Sequence, residues 1–434
     1  MASKPYLLRL YAGLLGVTGP PIAWAVLNWR RRQGKEMTTR IAERRGRASR
    51  IRPQGLLVWV HSASVGELIS VLPLIEALVS RGFHILTTTG TVTSARLAAV
   101  RLPPEAVHQF APLDVPRYVR RFFDHWQPDL AIFTESELWP NMLGEAEMRG
   151  VPVVIANARM SPDSHERWSR FGAVSRFMLK SIDLCLAQTD ADGRRLADMG
   201  APRVETAGNL KVDVPPPPAA EHVLAKLKDA VYGRPVLLAA STHSGEDEFV
   251  ARVHLRLRER HRNLLTIIVP RHPERANEVV NAAHELGLEV SQRSRISDPE
   301  WTNDIFVADT IGELGIFYRL ADVAFVGGSL VPHGGQNPIE PAKLGVPVLH
   351  GPHVTNFQDL YAALDEAHAA IPVTDSDSFA AAVSELLSDG KAREQMRGAA
   401  FEVIERNSGA LARTLASIEP YLMQLSLSRP DARA

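Results

Sequence analysis

At 434 residues the chain is too long for one ordinary hydrophobic core, so two domains are the starting expectation. Its 45% hydrophobic and 23% charged content are those of a folded globular protein, and a formal net charge of zero argues against wholesale nucleic-acid binding. The single cysteine, Cys185, excludes an internal disulfide and a thiolate metal cluster.

The charge is nevertheless unevenly placed. From Arg30 to Arg52 ten Lys/Arg stand against Glu36 and Glu43, a local net of +8. This stripe follows residues 10–27, 18 positions without a charge, which as a helix would reach about 27 Å against the roughly 30 Å of a hydrocarbon core. Gly13, Gly16, Gly19, Pro20 and Pro21 weaken it as a simple spanning helix. Three readings are open. The segment is a membrane anchor that spans or partly inserts, a buried docking helix, or a secretory signal peptide with Lys4 and Arg9 as its basic start and Ala23-Trp24-Ala25 as a small-x-small site. Arg30–Arg32 speak against export, because basic residues hold that end in the cytoplasm. As an anchor, the segment would bring the stripe to anionic headgroups, each cation contributing on the order of 1 kcal/mol. A solvated charge run is the bland alternative for Arg44–Arg52.

From residue 56 onward short apolar runs, loops and amphipathic helices alternate, the pattern of a parallel α/β sheet. Strands are predicted at 56–60, 84–88, 129–133, 151–156 and 184–187, with helices near 67–80, 92–100, 115–125 and 190–199. Val214 and the four prolines at 215–218 cannot continue either element. A second series follows, with strands at 236–240, 264–269, 305–308, 323–326 and 346–349, helices around 245–260, 273–286, 312–320, 338–344 and 356–369, and a nearly all-helical tail from 377 to 425. The implied organisation is an anchor at 1–30, a Rossmann-like domain at 31–213, a linker at 214–224, and a second Rossmann-like domain at 225–425 whose last helix is able to pack back on the first. Two doubly wound domains of this kind bind ligands in a cleft where loops at the strand carboxyl ends converge.

The loops after these strands carry chemistry. His61-Ser62-Ala63-Ser64-Val65-Gly66-Glu67 follows the first; Glu67 reads as a general base for a hydroxyl, and Ser64-x-x-Glu67 reads equally as a capping box. Next come TESELWPN, with Glu135 and Glu137 beside an aromatic, then NARMS, then GNLK, whose Lys211 is a candidate partner for a carboxylate or phosphate. In the second half, STHSGE from Ser241 suits a phosphate at a helix start, although Ser244-x-x-Asp247 also reads as capping. Pro270, Arg271 and His272 place cations where an anionic nucleotide would lie, and Gly312-Glu313-Leu314 opens a helix with backbone groups able to read a base edge. Thr310-x-x-Glu313 is another possible capping box.

The stretch Gly327–Pro341, GGSLVPHGGQNPIEP, organises the rest. Four glycines let the backbone approach a ligand closely, and the helix that follows offers N–H groups to an anion, with Ser329, Asn337 and Glu340 available for phosphate and ribose. A Gly-rich turn with a capped helix is the alternative. Asp190-Ala191-Asp192 and Asp375-Ser376-Asp377 have the Asp-x-Asp form of metal-dependent sugar transferases, but both begin predicted helices and read as caps. The chain has no P-loop, no HExxH, no G-x-S-x-G elbow and no redox dinucleotide fingerprint after the first strand, which disfavours oxidoreductase chemistry.

Taken in order, SASVGE, TESELWPN, NARMS, GNLK, STHSGE, PRHPER, GEL and GGSLVPHGGQNPIEP, behind an amino-terminal anchor, closely resemble the 3-deoxy-D-manno-octulosonic acid (Kdo) transferases of lipopolysaccharide assembly over roughly residues 40–360. The resemblance implies a GT-B glycosyltransferase fold, two Rossmann-like domains facing a cleft, working without metal or other cofactor at the inner face of the cytoplasmic (inner) membrane. It implies CMP-Kdo as donor, held by the nucleotide domain at 225–425, a lipid A precursor (lipid IVA) as acceptor, met by the acceptor domain at 31–213, and inversion at the anomeric carbon. Carried onto this sequence, Glu67 matches the general base, while Glu135 and Lys211 match positions supporting the acceptor or the Kdo carboxylate. Pro270 and Arg271, Gly312, Glu313 and Leu314, and Asn337, Pro338, Ile339 and Glu340 match the loops that hold CMP; Ser241, His272, Gly328 and Ser329 complete the expected donor contacts. Many relatives have His where Gln336 stands, so Gln336 is left out of the contacts, and the charged pattern before the first strand is recognisable in Glu43-Arg44-Arg45-Gly46. The rivals are another GT-B enzyme using a UDP-sugar, a nucleotide-sugar epimerase, and an inactive membrane-tethered binder.

Overall fold

Runs of Val, Ile and Leu become parallel strands in both halves of the chain. A computed structural model describes residues 6–428, so Lys4 of the basic start lies outside the described residues. The chain divides into two units, Met1–Val214 with Asn407–Ala434, and Pro215–Arg406.

The first unit is built on β1 (Leu57–Ser62), β2 (His84–Thr89), β3 (Ala106–Phe110), β4 (Leu130–Thr134), β5 (Val153–Ala158), β6 (Leu184–Ala187) and β7 (Val204–Thr206). Their order is β3-β2-β1-β4-β5-β6-β7, all parallel. Strand alternation sends Leu57 and Trp59 to one face of β1 and Val58 and Val60 to the other. Trp59 packs among Phe122, Phe123 and Phe133 with ring centroids 4.8–5.6 Å apart. Val58 and Val60 meet Leu68, Val71 and Ile75 of the helix Val65–Ser80. Because both faces are covered, β1 is buried along its whole length, as a central parallel strand requires.

The second unit carries β8 (Val236–Thr242), β9 (Leu265–Pro270), β10 (Val290–Gln292), β11 (Ile305–Val307), β12 (Val323–Val326), β13 (Val348–His350) and β14 (Ala370–Pro372) in the order β10-β11-β9-β8-β12-β13-β14, again all parallel. The winding reverses between β1 and β4 in the first sheet and between β8 and β12 in the second. At such a reversal the loops leaving the two neighbouring strands diverge and open a crevice at their carboxyl ends.

The structure corrects three expectations. The amino-terminal segment is two helices, Tyr6–Val17 and Gly19–Arg32, bent by 65°, and among the described residues no single helix is long and apolar enough to cross a membrane. Pro20 and Pro21 lack the N–H groups that would continue the first helix, so the chain restarts after Thr18. One side of the pair packs inward: Ala23 meets Val115 and Tyr118, and the Tyr11 hydroxyl donates to Asp114 Oδ2 at 3.2 Å. The other side leaves Leu10, Leu14, Val17, Trp24 and Trp29 more than half exposed. Second, the domain bounds move, although the last helix packs on the first unit as the sequence allowed. Helix Ala410–Ser428 buries Ala410, Ile418 and Leu422 in the core of the first, so the 225–425 range runs past the boundary at Arg406; the linker is also shorter than 214–224, because helix Glu221–Ala230 begins inside it. Third, Arg44 is not solvated. Its guanidinium is buried against Glu36 and the carbonyls of Gly90 and Ala111, leaving Arg31, Arg32, Lys35, Arg47 and Arg50 as the exposed cations of the stripe.

Candidate functional site

In the first unit the loops at the reversal bring Glu67, Thr134 and His61 together. Helix Val65–Ser80 begins where Ser64 Oγ accepts the Glu67 N–H at 3.3 Å. The Glu67 carboxylate accepts the Ala63 N–H at 2.9 Å and the Thr134 hydroxyl at 2.7 Å on Oε2, and the Ser64 hydroxyl at 2.8 Å on Oε1. The capping motif is therefore real, with the acid accepting the backbone N–H of Ala63 rather than that of the cap residue Ser64, whose hydroxyl it binds instead. A carboxylate offers about four acceptor positions. Three are filled, and the remaining one is on Oε1, so capping and proton acceptance are compatible in this side chain.

Beside it a polar chain runs from the core to the surface. The Trp59 indole donates to Thr88 Oγ1 at 2.8 Å, and Thr88 Oγ1 lies 2.9 Å from His61 Nδ1. On the other side of the ring, His61 Nε2 faces Glu137 Oε2 at 3.5 Å. Burial raises the Glu137 pKa, but the hydrogen bond and charge of His61, with the Trp139 indole at 2.6 Å, outweigh it and hold Glu137 below the usual carboxylate range.

Glu135 and Lys211 meet as an ion pair at 2.7 Å. Both positions are set by strain and by a buried amide. Glu135 at φ +53° and Asn157 at φ +54° occupy the left-handed region at the carboxyl ends of β4 and β5, a conformation that costs such residues about 1–3 kcal/mol and persists where the surroundings enforce it. Asn157 Oδ1 accepts the Leu210 N–H at 2.9 Å, fixing the turn that carries Lys211.

In the second unit the site gathers around a residue to which the motif reading assigned no role. Glu246 is buried and accepts four backbone N–H groups: His243 at 2.9 Å and Gly328 at 2.6 Å on Oε2, Ser329 at 3.0 Å and Leu330 at 2.9 Å on Oε1. The Gly328 and Ser329 amides expected to meet a phosphate are thus committed to Glu246, and the buried Ser329 hydroxyl binds the Val326 carbonyl and the Gly351 N–H. Gly327 is needed for this closure, since a Cβ there would lie 2.6 Å from the Ser241 carbonyl oxygen. Ser241 itself sits at φ +57° at the end of β8.

The remaining donor-loop residues divide in the same way. Glu313 is held by a two-pronged pair with Arg293 at 2.7 and 3.0 Å and by the Thr310 hydroxyl, and Arg293 keeps its pKa low. Its carboxylate fixes the turn, leaving the exposed Gly312 and the half-buried Leu314 beside it. Pro270 ends β9 buried, while Arg271 and His272 project as exposed side chains. Asn337 Oδ1 accepts the Ile339 N–H at 3.0 Å and its Nδ2 reaches Glu340 Oε1 at 3.3 Å; Pro338 and Ile339 are buried. Burial raises the Glu340 pKa, opposed in part by Asn337 and by the charge of Arg271. The helix here is short, Ile339–Lys343.

Three imidazoles cluster at these strand ends. His243 stacks on His333 with centroids 4.2 Å apart and meets His272 edge-on at 6.1 Å. Burial, then His333, His272, Arg271 and Arg275, push the His243 pKa down to about 4. Neutral His243 accepts from Gln336 Nε2 at 3.1 Å, so the residue set aside for lacking charge has a positioning contact. No local spacing betrays the contact between Glu246 and residues 328–330 or the stacking of His333 on His243, so the motifs alone name neither residue. Of the two Asp-x-Asp triplets, Asp375 is a helix cap, accepting the N–H groups of Asp377 and Ser378, whereas the helix at Asp190 is capped by Thr189, with Asp192 accepting the Met160 N–H and Asp190 the Thr206 hydroxyl.

A sequence model described as "3-Deoxy-D-manno-octulosonic-acid transferase (kdotransferase)" matches residues 39–214. The chain is 37% identical over 428 residues to the 3-deoxy-D-manno-octulosonic acid transferase of Haemophilus influenzae, covering 96% of each chain. It is 36% identical over 416 residues to that of Bordetella pertussis, covering 93% of this chain and 96% of the relative. A solved glycosyltransferase from Rickettsia africae shares the fold at a TM-score of 0.60 and 12% identity, over 85% of this chain and 99% of that one. With identity of this level running through both units and nearly end to end, the chain belongs to the 3-deoxy-D-manno-octulosonic acid (Kdo) transferase family.

Proposed function

We propose that this chain moves Kdo from CMP-Kdo to a lipid A precursor, lipid IVA or a close variant, in lipopolysaccharide assembly, inverting the anomeric centre without a metal ion. The observation that carries this reading is the Glu67 carboxylate, fixed by three donors at the β1/β4 reversal with one acceptor position left on Oε1. In the step proposed, Oε1 takes the proton of the acceptor hydroxyl as its oxygen bonds to the anomeric carbon. The bond from that carbon to the CMP phosphate breaks, and CMP leaves with the electron pair. Lys211, held by Glu135, pairs with the Kdo carboxylate, while Arg271 and His272 face the phosphate. Glu340 and Asn337 suit the ribose, and the backbone of Gly312–Leu314 suits the base.

The test is a membrane-fraction assay with CMP-Kdo, generated in place, and a tetra-acylated lipid A precursor, read by mass spectrometry of the lipid. Mass increments of Kdo are expected; a lipid left unmodified while CMP still binds would sink the acceptor assignment.

The exposed apolar side of the amino-terminal helix pair, followed by exposed Arg31, Arg32 and Lys35, supports placing the protein at the cytoplasmic face of the inner membrane. Removing residues 1–29 is expected to shift the protein from the membrane to the soluble fraction on ultracentrifugation. Full retention would move the anchoring role elsewhere.

A further inference from the structure

The second sheet has a positively charged cavity at its other end. At the amino ends of β12 and β13, opposite the loops of the nucleotide motifs, lies a cavity of about 250 Å³ lined by Lys228, Arg319, Arg393 and Arg397 against one acid, Asp322. That acid is committed, since Asp322 Oδ2 accepts the Val236 N–H at 2.9 Å at the start of β8. The arginines are oriented by carbonyls. Arg319 donates to Pro217 and Gly315, each at 2.7 Å, and Arg393 donates to Leu386 and Leu387. Arg397 Nε donates to Gly345 at 3.3 Å, and its Nη1 is 3.6 Å from the exposed Glu394. Carbonyls aim a guanidinium without neutralising it, so the cavity keeps an excess of positive charge that repels itself until an anion enters. Fixed guanidinium forks match the oxygens of a phosphate.

We propose that this cavity binds a compact phosphate-bearing polyanion, either a free diphosphate or the phosphorylated headgroup of a lipid. It is a separate site from the one at the strand carboxyl ends. Gly345, on its wall, lies just past the short helix whose first turn holds Glu340, and the buried Tyr318 that lines it lies within the electrostatic reach of that carboxylate. An anion here therefore sits one short helix away from the candidate ribose contact.

The test uses the full-length protein with CMP present in excess, so that the nucleotide loops are filled, and titrates inorganic diphosphate by calorimetry. One-to-one binding that weakens as salt rises is expected. The exposed pair is then reversed, Lys228→Glu with Arg397→Glu, and the affinity is expected to fall at least about tenfold with an unchanged melting temperature. Lys228→Ala alone serves as the milder variant. Flotation with phosphatidylglycerol and phosphatidylcholine vesicles separates the sources: loss of phosphatidylglycerol binding in the double variant assigns a headgroup, and loss of diphosphate binding with flotation intact assigns a free anion. Diphosphate affinity and flotation that both match the unaltered protein would overturn the proposal.

Discussion

Glu67→Gln is expected to lower Kdo transfer by about 10²–10⁴-fold, the range a positioned general base supplies, while CMP affinity stays as it was, because the nucleotide loops belong to the other unit. Glutamine is the informative substitution because of the partners involved. Two of the three donors to Glu67 are the hydroxyls of Ser64 and Thr134, which can turn to accept. The amide oxygen can keep the Ala63 N–H on one side while the NH₂ group meets the Ser64 oxygen on the other. The fold is therefore preserved and the basic atom removed. Glu67→Ala would confuse the two effects, since it removes the carboxylate half of the capping pair and leaves the Ala63 N–H unpaired, at about 1–3 kcal/mol where such a group is buried. Turnover, CMP affinity and unfolding midpoint measured on the same preparation separate them. Glutamine turnover within about threefold of the unaltered protein would exceed what loss of a base permits and end the catalytic assignment.

How far the amino-acid pattern reaches into this structure follows from burial. The ten central strands announce themselves because both their faces are covered, which demands unbroken apolar runs such as Val236–Ala240. The four missed strands, β3, β7, β10 and β14, are the four sheet edges. Edge strands need only one neighbour, and sequences such as Ala106–Phe110 (AVHQF), Val204–Thr206 (VET) and Val290–Gln292 (VSQ) are short and mixed in polarity for that reason. The site divides along a similar line. Loop motifs are contiguous, so Glu67, Lys211 and Asn337 could be named from sequence, and the Glu135–Lys211 pair joins two residues already suspected. What the pattern could not reveal is how backbone groups are spent. Gly328 and Ser329 look like a phosphate cradle in one dimension, and in three they are occupied by a carboxylate from another strand's loop. Likewise Arg44 reads as one more surface cation in a basic stripe, whereas Glu36 and three carbonyls draw it inside.

That occupied cradle makes Glu246 the second position where a conservative change should have a large effect, for a reason opposite to that at Glu67. All four donors to Glu246 are backbone N–H groups, which cannot turn and accept. Glutamine can satisfy the two on one side, but its NH₂ group then confronts the other two, so Glu246→Gln converts two charge-assisted bonds into two donor–donor contacts. Charge-assisted hydrogen bonds contribute about 1.5–3 kcal/mol each, and a buried group left unpaired costs about 1–3 kcal/mol more. A loss of at least about 3 kcal/mol is therefore expected in the unit that carries the nucleotide motifs. Because the two units can unfold separately, a single melting curve is a poor measure of this. Amide hydrogen exchange at Gly328, Ser329 and Leu330 reads the effect where it occurs. Exchange at these three amides should accelerate by about two orders of magnitude for each 2.7 kcal/mol lost locally, and CMP binding should weaken with it, because the same loop leads into Asn337 and Glu340. Protection and CMP affinity equal to those of the unaltered protein would show that Glu246 is dispensable for holding the loop. Loss of protection in Glu246→Gln, set beside retained protection and lost turnover in Glu67→Gln, would establish that two capping-type glutamates at equivalent strand ends do different work: one organises a ligand loop through its fixed partners, and the other keeps an acceptor position open because its partners can move.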